Sequence, residues 1–421
     1  KCARNWESYW AIVDSLKNLE DDETLVVQSG MPVAIFKTHK EAPVVVMATT
    51  NIMQATWERF YDLQDKNLTI FAQYTAAPWE YIGTQGVIEG TFETLSAIAM
   101  KKFNDDLSGK IYLTAGAGGM GANQTWAMKM HGGVCIVVDV NEKTMKKRIE
   151  KDYLDIIASS LEEAIRIAKE NSKAKKPISI GVVGNAADMY EKILASDFRP
   201  DICSEMCPCH DPISYIPSGY TAEEADKLRI ENREKYLHLA RETMKRQLAA
   251  MVALKTDGVE VFEYGTSIRK ECMDAGFPRE EAMKIKGFVA EYIRPLFCEG
   301  RGPFRWTCLS RDPEDLKVSE DIALEICKGD KLVERWINLA RKNLPIEGMP
   351  ARICYMGFGE RKRFGLAINQ AIKDGRIKGT VAFSRDNLDS GSIVNPTFES
   401  ENMPDGGDYI SDWPYLNALL D

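Results

Sequence analysis

Apolar positions along this chain fall into two rhythms, and the switch between them outlines its elements. Residues 1–17 repeat apolar side chains at helical spacing through Trp6, Trp10, Ile12, Val13 and Leu16. Leu25–Gln28 and Val33–Phe36 then read as two strands around a Gly30-Met31-Pro32 turn, with a third apolar run over Val44–Ala48. A helix is expected over 51–66 and a strand over 68–74, closed by Pro78. From about Gly90 the pattern settles into alternation. A helix over 90–103 is followed by strands at 111–114, 134–138, 177–183, 201–206 and 259–264. Between them lie helical stretches over 123–130, 143–174, 187–195, 221–253 and 267–274. The stretch 143–174 reads as one long amphipathic helix or a pair. Thr221 with Glu224 three residues on has the form of a capping box. Such alternation predicts a parallel sheet covered on both faces. Near Gly287 the texture changes. Pro295, Gly300, Gly302 and Pro303 punctuate an aromatic and arginine-rich segment that reads as a loop. A helix over 324–343 with a break at Gly329, a strand over 351–356, a helix over 363–373 and a strand over 380–383 follow, and residues 384–421 read as loop-rich.

One stretch carries the strongest chemical signal. The strand Ile111-Tyr112-Leu113-Thr114 runs into Gly116-Ala117-Gly118-Gly119-Met120-Gly121, a G-x-G-x-x-G pattern that opens a helix. The next strand ends on Asp139, about 20 residues on, as a dinucleotide-binding βαβ unit requires. Gly116 allows the tight turn, Gly118 lets backbone approach a pyrophosphate, and Gly121 lets the helix pack on the strand. The helix N-terminus offers N–H groups and a positive dipole end to phosphate. Asp139 can accept from ribose hydroxyls and would repel a 2′-phosphate, which favours NAD over NADP. The alternative is a glycine-rich turn that binds nothing.

Composition narrows the class. The chain has 421 residues and a net charge of −9, which argues against a general nucleic-acid role. No apolar run approaches a membrane span. Ten scattered cysteines form no disulfide-framework pattern and point to reduced thiols in a cytosolic setting. Four histidines make a multi-histidine metal centre an unlikely design. Cys203, Cys207, Cys209 and His210 have no standard zinc spacing, so no metal is expected.

Several uncommon segments resemble one family. They are Ala3-Arg4-Asn5-Trp6-Glu7, Tyr81-Ile82-Gly83-Thr84-Gln85-Gly86, Leu113-Thr114-Ala115-Gly116 with Gly118-Gly119-Met120-Gly121, and Tyr292-Ile293-Arg294-Pro295-Leu296-Phe297-Cys298. Gly302-Pro303-Phe304-Arg305-Trp306, Pro350-Ala351-Arg352-Ile353-Cys354, Asp389-Ser390-Gly391-Ser392 and Ser411-Asp412-Trp413-Pro414 continue the series. Together they are similar to urocanase, the urocanate hydratase family, over nearly the whole chain. The resemblance implies an α/β fold in which a Rossmann-like NAD-binding domain with a parallel sheet, 86–288, is inserted into a discontinuous α/β core domain, 1–85 and 289–421. It implies a hydro-lyase of histidine breakdown, acting as a homodimer on an imidazole propenoate. Tightly bound NAD+ is attacked by the substrate's ring and is not reduced in net, so that water adds.

By position, the resemblance places Gln73, Gly119, Met120, Gly121, Asp139, Asn185, Ala186, His210, Tyr215, Ile216 and Tyr264 at NAD-contacting sites. Cys354 matches the active-site cysteine and Arg305 an arginine facing substrate. Read from the residues alone, Cys354 is also a buried apolar thiol, and Arg305 an arginine stacked on Phe304 or Trp306.

The departures are concentrated. Met206-Cys207-Pro208-Cys209 stands where the family has Gln-Thr-Ser-Ala, and Thr144 replaces an arginine after the ribose acid, both beside the cofactor. Thr75 and Phe398 fall at substrate-facing positions, Phe398 in place of a carboxylate-binding arginine. Asn387 and Glu299 replace a histidine and an arginine. Loss of a bidentate carboxylate partner is not conservative. The expectation is a paralogue acting on a modified urocanate, such as thiourocanate or its S-methyl form. A conventional NAD-dependent dehydrogenase and a catalytically silent NAD-binding paralogue are the competing classes. The family's segments before Ala3 and after Leu420 further imply that these residues are part of a longer protein.

Overall fold

The computed structural model describes residues 3–28, 30–40, 42–48, 66, 84–293, 295–296 and 299–385. The expected strand over 68–74 and the loop-rich stretch beyond residue 385 lie outside them, as does the expected helix over 51–66 apart from Lys66. The chain divides into two compact units, residues 1–86 with 296–421, and residues 87–295. Among the described residues no helix is long and apolar enough to cross a membrane.

The first segment opens with α1, Trp6–Asn18, whose N-cap Asn5 accepts from the Ser8 N–H at 2.8 Å. Its Ile12 packs on Leu25 and Val27. Those two residues lie on β1, Glu23–Gln28, which pairs antiparallel with β2, Met31–Lys37, and parallel with β3, Val45–Ala48. Gly30 turns at φ +72°, but Met31 and Pro32, expected in that turn, already lie on β2 and pair with β1.

The second unit is the alternating one. After α2, Gln85–Lys102, come β4, Ile111–Ala115; α3, Ala122–Met130; β5, Val134–Asp139; and α4, Glu142–Glu150. β6, Ile156–Ala158; α5, Leu161–Lys173; β7, Ile178–Val183; α6, Ala186–Ala195; and β8, Ile202–Cys203 follow. α7, Ala222–Glu231; α8, Arg233–Thr256; β9, Glu260–Glu263; α9, Ile268–Asp274; α10, Arg279–Ala282; and β10, Lys286–Gly287 complete it, with a π-helical turn at Val289–Ile293. The seven strands lie in the order β10-β9-β8-β4-β5-β7-β6, every pair parallel. Every residue of β4 is buried, and all of β5 except Asp139, because helices cover both faces. Successive strands step from β4 toward β6 and then return to the other side of β4. The sheet's topological switch point therefore lies between β4 and β8, and its crevice is outside their carboxyl ends.

Two helical expectations divide. The stretch 143–174 contains the edge strand β6, whose three residues are too short to break a helical rhythm; Asp152, at φ +60°, turns the chain out of α4. The long helix after Thr221 is two, because Asn232 leaves helical geometry to cap α8 through the Lys235 N–H. The Thr221–Glu224 capping box is present in full.

The last segment has β11, Gly302–Cys308; α11, Pro313–Ile326; α12, Lys331–Asn343; β12, Ala351–Met356; α13, Glu360–Lys373; and β13, Val381–Arg385. β11 is the centre of an antiparallel sheet ordered β12-β11-β13, where the sequence reads as a loop. Its Pro303 misleads: β13 pairs only from Phe304 onward, so the missing N–H interrupts no ladder on that side. Gly329, at φ +92°, separates α11 from α12 as expected.

Beside this sheet the carboxylate of Glu320, on α11, takes Arg352 Nε at 2.7 Å and Arg341 Nε at 2.5 Å, and Arg352 also donates to Gln85 Oε1 at 3.0 Å. Glu320→Ala leaves the Arg352 guanidinium buried beside no carboxylate. A stability loss of about 3–5 kcal/mol is expected in denaturant titration. A loss under ~1 kcal/mol would show that Gln85 alone satisfies the guanidinium.

Candidate functional site

The crevice is built by the turns after β4 and β8. Gly116, at φ +85°, sits so close to the second turn that a Cβ there would lie 2.4 Å from the Met206 carbonyl oxygen. A Cβ on Gly121 would lie 1.9 Å from the Gly116 carbonyl oxygen. Gly118 and Gly119 differ: a Cβ on either meets nothing within 4 Å, and both are exposed. The outer glycines let the chain close on itself, and the inner ones form an open shelf at the start of α3. No side chain caps that helix. The N–H groups of Ala122, Asn123 and Gln124 are taken by the Gly118, Met120 and Gly121 carbonyls, so what the helix offers a ligand is the positive end of its dipole behind the glycine shelf. The open space at Gly118 and Gly119 and the positive helix end suit a pyrophosphate.

Asp139 does more than the sequence indicates. Its Oδ2 accepts from the Ala117 N–H at 2.6 Å and its Oδ1 from the Asn141 N–H at 2.8 Å. The Ala117 carbonyl in turn accepts from Arg148 Nε at 2.8 Å. Burial pushes the carboxyl up, and the two N–H groups and Arg148 pull it back. Each carboxylate oxygen retains a second lone-pair direction, so Asp139 can brace the glycine turn and still accept from a ribose. Arg148 had no signal in the sequence.

The other expected nucleotide residues sort by what already holds them. Asn185 caps α6 through the Ala187 N–H at 3.0 Å and donates to the Ile216 carbonyl at 3.0 Å, which brings Asn185, Ala186 and Ile216 together after β7. Tyr215 is buried and donates to Gln247 Oε1 at 2.6 Å, and Gln247 reaches Cys207 Sγ at 3.8 Å. Tyr264 is turned into the fold, stacked on Phe288 at 4.4 Å and bonded to Thr91 Oγ1 at 2.7 Å. His210 is exposed, and Met206 and Thr144 are half-buried. Cys207 and Cys209 are buried under their own turn, and burial pushes both thiols well up, which keeps them protonated. Gln73, Thr75 and Phe398 lie outside the described residues.

Arg305 and Cys354 belong to the other unit, both buried. Cys354 lies opposite Phe304, and Arg305 opposite Ile353 and Ser384. Directly paired residues share a face and neighbours alternate, so the register parts the two expected substrate residues onto opposite faces of the sheet. Cys354 stands two residues inside the end of β12 rather than at it. Its face is the aromatic one, where Phe304, Trp306, Phe364 and Phe383 meet. The same alternation turns Arg305 away from the rings of Phe304 and Trp306.

Sequence reasoning missed Glu205, the one charged residue in the run Ile202–Cys209. It is fully buried after β8. Burial, with the Glu263 carboxylate adding to it, pushes its carboxyl up from 4.5 to about 8 against the hydrogen bonds of Thr266, Cys207 and Cys209. Folding thus favours the protonated form. The stability this contributes is full below about pH 4.5, declines as pH rises toward about 8, and is flat above.

Two outcomes are expected. Gly121→Ala should cost about 2 kcal/mol or more by forcing its own turn open against the Gly116 carbonyl, while Gly119→Ala stays within about 0.5 kcal/mol; equal losses in denaturant melts would sink the distinction. Glu205→Gln, which cannot titrate, should gain thermal stability relative to the parent between about pH 5 and about pH 8. A constant difference across that range would mean that Glu205 is ionised throughout.

Three family models match the chain in order. The urocanase N-terminal domain covers residues 1–80, the urocanase Rossmann-like domain 83–292, and the urocanase C-terminal domain 295–421. Among solved structures the chain is similar to the shikimate dehydrogenase of Mycobacterium tuberculosis, at 9% identity and a TM-score of 0.21 over 49% of this chain and 62% of that one. It is also similar to an L-tryptophan dehydrogenase from Nostoc punctiforme, at 14% identity and a TM-score of 0.21 over 62% of each chain. Superpositions this loose fix neither fold nor activity. Matched by all three parts from residue 1 to residue 421, the chain belongs to the urocanase family.

Proposed function

We propose that this chain is a hydro-lyase of the urocanate hydratase type that adds water to an imidazole propenoate, with NAD+ held at the Gly116–Gly121 turn. What carries this is the union of all three family parts with an open glycine shelf at the switch point. When bound, NAD+ supplies an electrophilic ring and is unchanged in net. The chain's own residues do the rest. Gly118 and Gly119 admit the pyrophosphate, the uncapped end of α3 faces it, and Asp139 accepts from the ribose while bracing the turn. Asn185 and Ile216 hold the neighbouring turn. The inserted-domain division at 86–288, a cytoplasmic setting and a homodimer are proposed with it.

On the substrate side Arg305 is the residue proposed to make contact. Its guanidinium suits a propenoate carboxylate, and Phe398 occupies the position of the family's own carboxylate-binding arginine. Cys354, on the other face, is kept for a direct test. The exchange at half-buried Met206 and the arginine lost at Phe398 support a ring carrying a larger, softer substituent, as in thiourocanate or its S-methyl form; Cys207 and Cys209, buried under their own turn, do not bear on it.

The test is an anaerobic ultraviolet assay of urocanate, thiourocanate and S-methyl thiourocanate without added NAD+. Loss of the conjugated band without NADH formation is expected, fastest for a sulfur-bearing substrate. NADH accumulation would make the chain a dehydrogenase, and NAD+-loaded protein inert toward all three would make it a silent paralogue. Arg305→Met should lower kcat/KM by about a hundredfold, in line with loss of a charge-assisted contact. A loss of that size in Cys354→Ala alone would move the substrate to the other face of the sheet.

A further inference from the structure

One buried group at the floor of the crevice has no part in the function just proposed. β8 pairs for only two residues, yet the chain continues beside β4, with the Ser204 N–H on Leu113 O at 3.0 Å and the Met206 N–H on Ala115 O at 2.7 Å. The turn that follows has to be fixed by something other than the sheet. Glu205 supplies it. Its Oε2 accepts from the Cys207 N–H at 2.8 Å and lies 3.8 Å from Cys209 Sγ. Its Oε1 is bonded to the Thr266 hydroxyl. Thr266 stands in the turn after β9, between Gly265 at φ +76° and Ser267 at φ +66°. A serine in the left-handed region is strained and is held there by its surroundings. One carboxyl therefore ties together the turns that leave neighbouring strands β8 and β9.

The location gives the tie a role. Asp139 ends β5, on one side of β4, whereas β8 and β9 lie on the other side. A dinucleotide crosses such a crevice from one side to the other. With its adenosine ribose at Asp139, its far end reaches the side that Glu205 and Thr266 hold.

We propose that Glu205, joined to Thr266, is a positioning residue for the nicotinamide end of the bound dinucleotide, fixing the 206–209 turn against Gly116 so that this half of the crevice keeps one shape. This rests on the NAD+ reading. Glutamine at 205 retains an acceptor for the Cys207 N–H and a donor for the Thr266 hydroxyl; alanine retains neither.

The test compares NAD+ with ADP-ribose, which lacks the nicotinamide. Retained NAD+ is assayed chromatographically in the purified chain, and affinity for each compound is measured by titration, for the parent, Glu205→Ala, Glu205→Gln and Thr266→Val. Expected are about tenfold or greater losses of NAD+ affinity in Glu205→Ala and Thr266→Val, with ADP-ribose affinity within about threefold and Glu205→Gln near the parent for both. Thr266→Val keeps the test open if Glu205→Ala does not fold. Equal losses for both compounds, NAD+ affinity unchanged in the alanine and valine variants, or failure of glutamine to rescue would overturn the positioning role while leaving NAD+ binding intact. A parent protein that takes up neither compound would overturn the nucleotide reading, and this one with it.

Discussion

The contact between Gly116 and the Met206 carbonyl governs much of this structure. It joins the two turns at the one place in the sheet where the strand order reverses, and it does so at a separation that admits no Cβ. The remaining features follow from that closeness. Asp139 and Arg148 hold the first turn from one side, and Glu205 holds the second from below. A buried network of Tyr112, Thr114, Gln124 and Ser204 ties β4, α3 and the start of the second turn beneath them, with the side-chain Oε1 of Gln124 accepting from the Thr114 hydroxyl at 3.0 Å and the Ser204 hydroxyl at 3.1 Å. Such networks specify one arrangement because each member loses its partner if another moves.

Much of the second unit was legible in the sequence. Continuous apolar runs and period-3.6 runs separated by glycine placed β4, α3, β5, β7 and α6 within a residue or two, since buried strands and the helices that cover them satisfy local and global preferences together. Short elements escaped. β6 and β10 have three and two residues, too few to show a rhythm, and they exist because a neighbouring strand offers its edge. β11 escaped for a different reason. Its Gly302-Pro303 opening is turn chemistry, and only the pairing with β12 and β13 overrides it.

The site was legible in part, along a physical boundary. Glycines announce themselves because backbone geometry requires them, and Asp139 because it ends a strand at a fixed distance from the turn. Glu205, Arg148 and Thr266 act through partners 61 residues or 31 residues away in sequence, and nothing local marks such pairs. Arg305 and Cys354 show the converse limit. A resemblance names both, but only strand register shows that they leave opposite faces.

That register has a consequence for how this scaffold can change. β11 is buried along its whole length, with Arg305 on one face and Phe304 and Trp306 on the other. A one-residue slip would carry a guanidinium into an aromatic cluster and a ring into its place. Insertions and deletions are thus closed to this strand, and so is gradual adjustment of where Arg305 points. The pairing that buries Arg305 is also what fixes the direction in which it leaves the sheet.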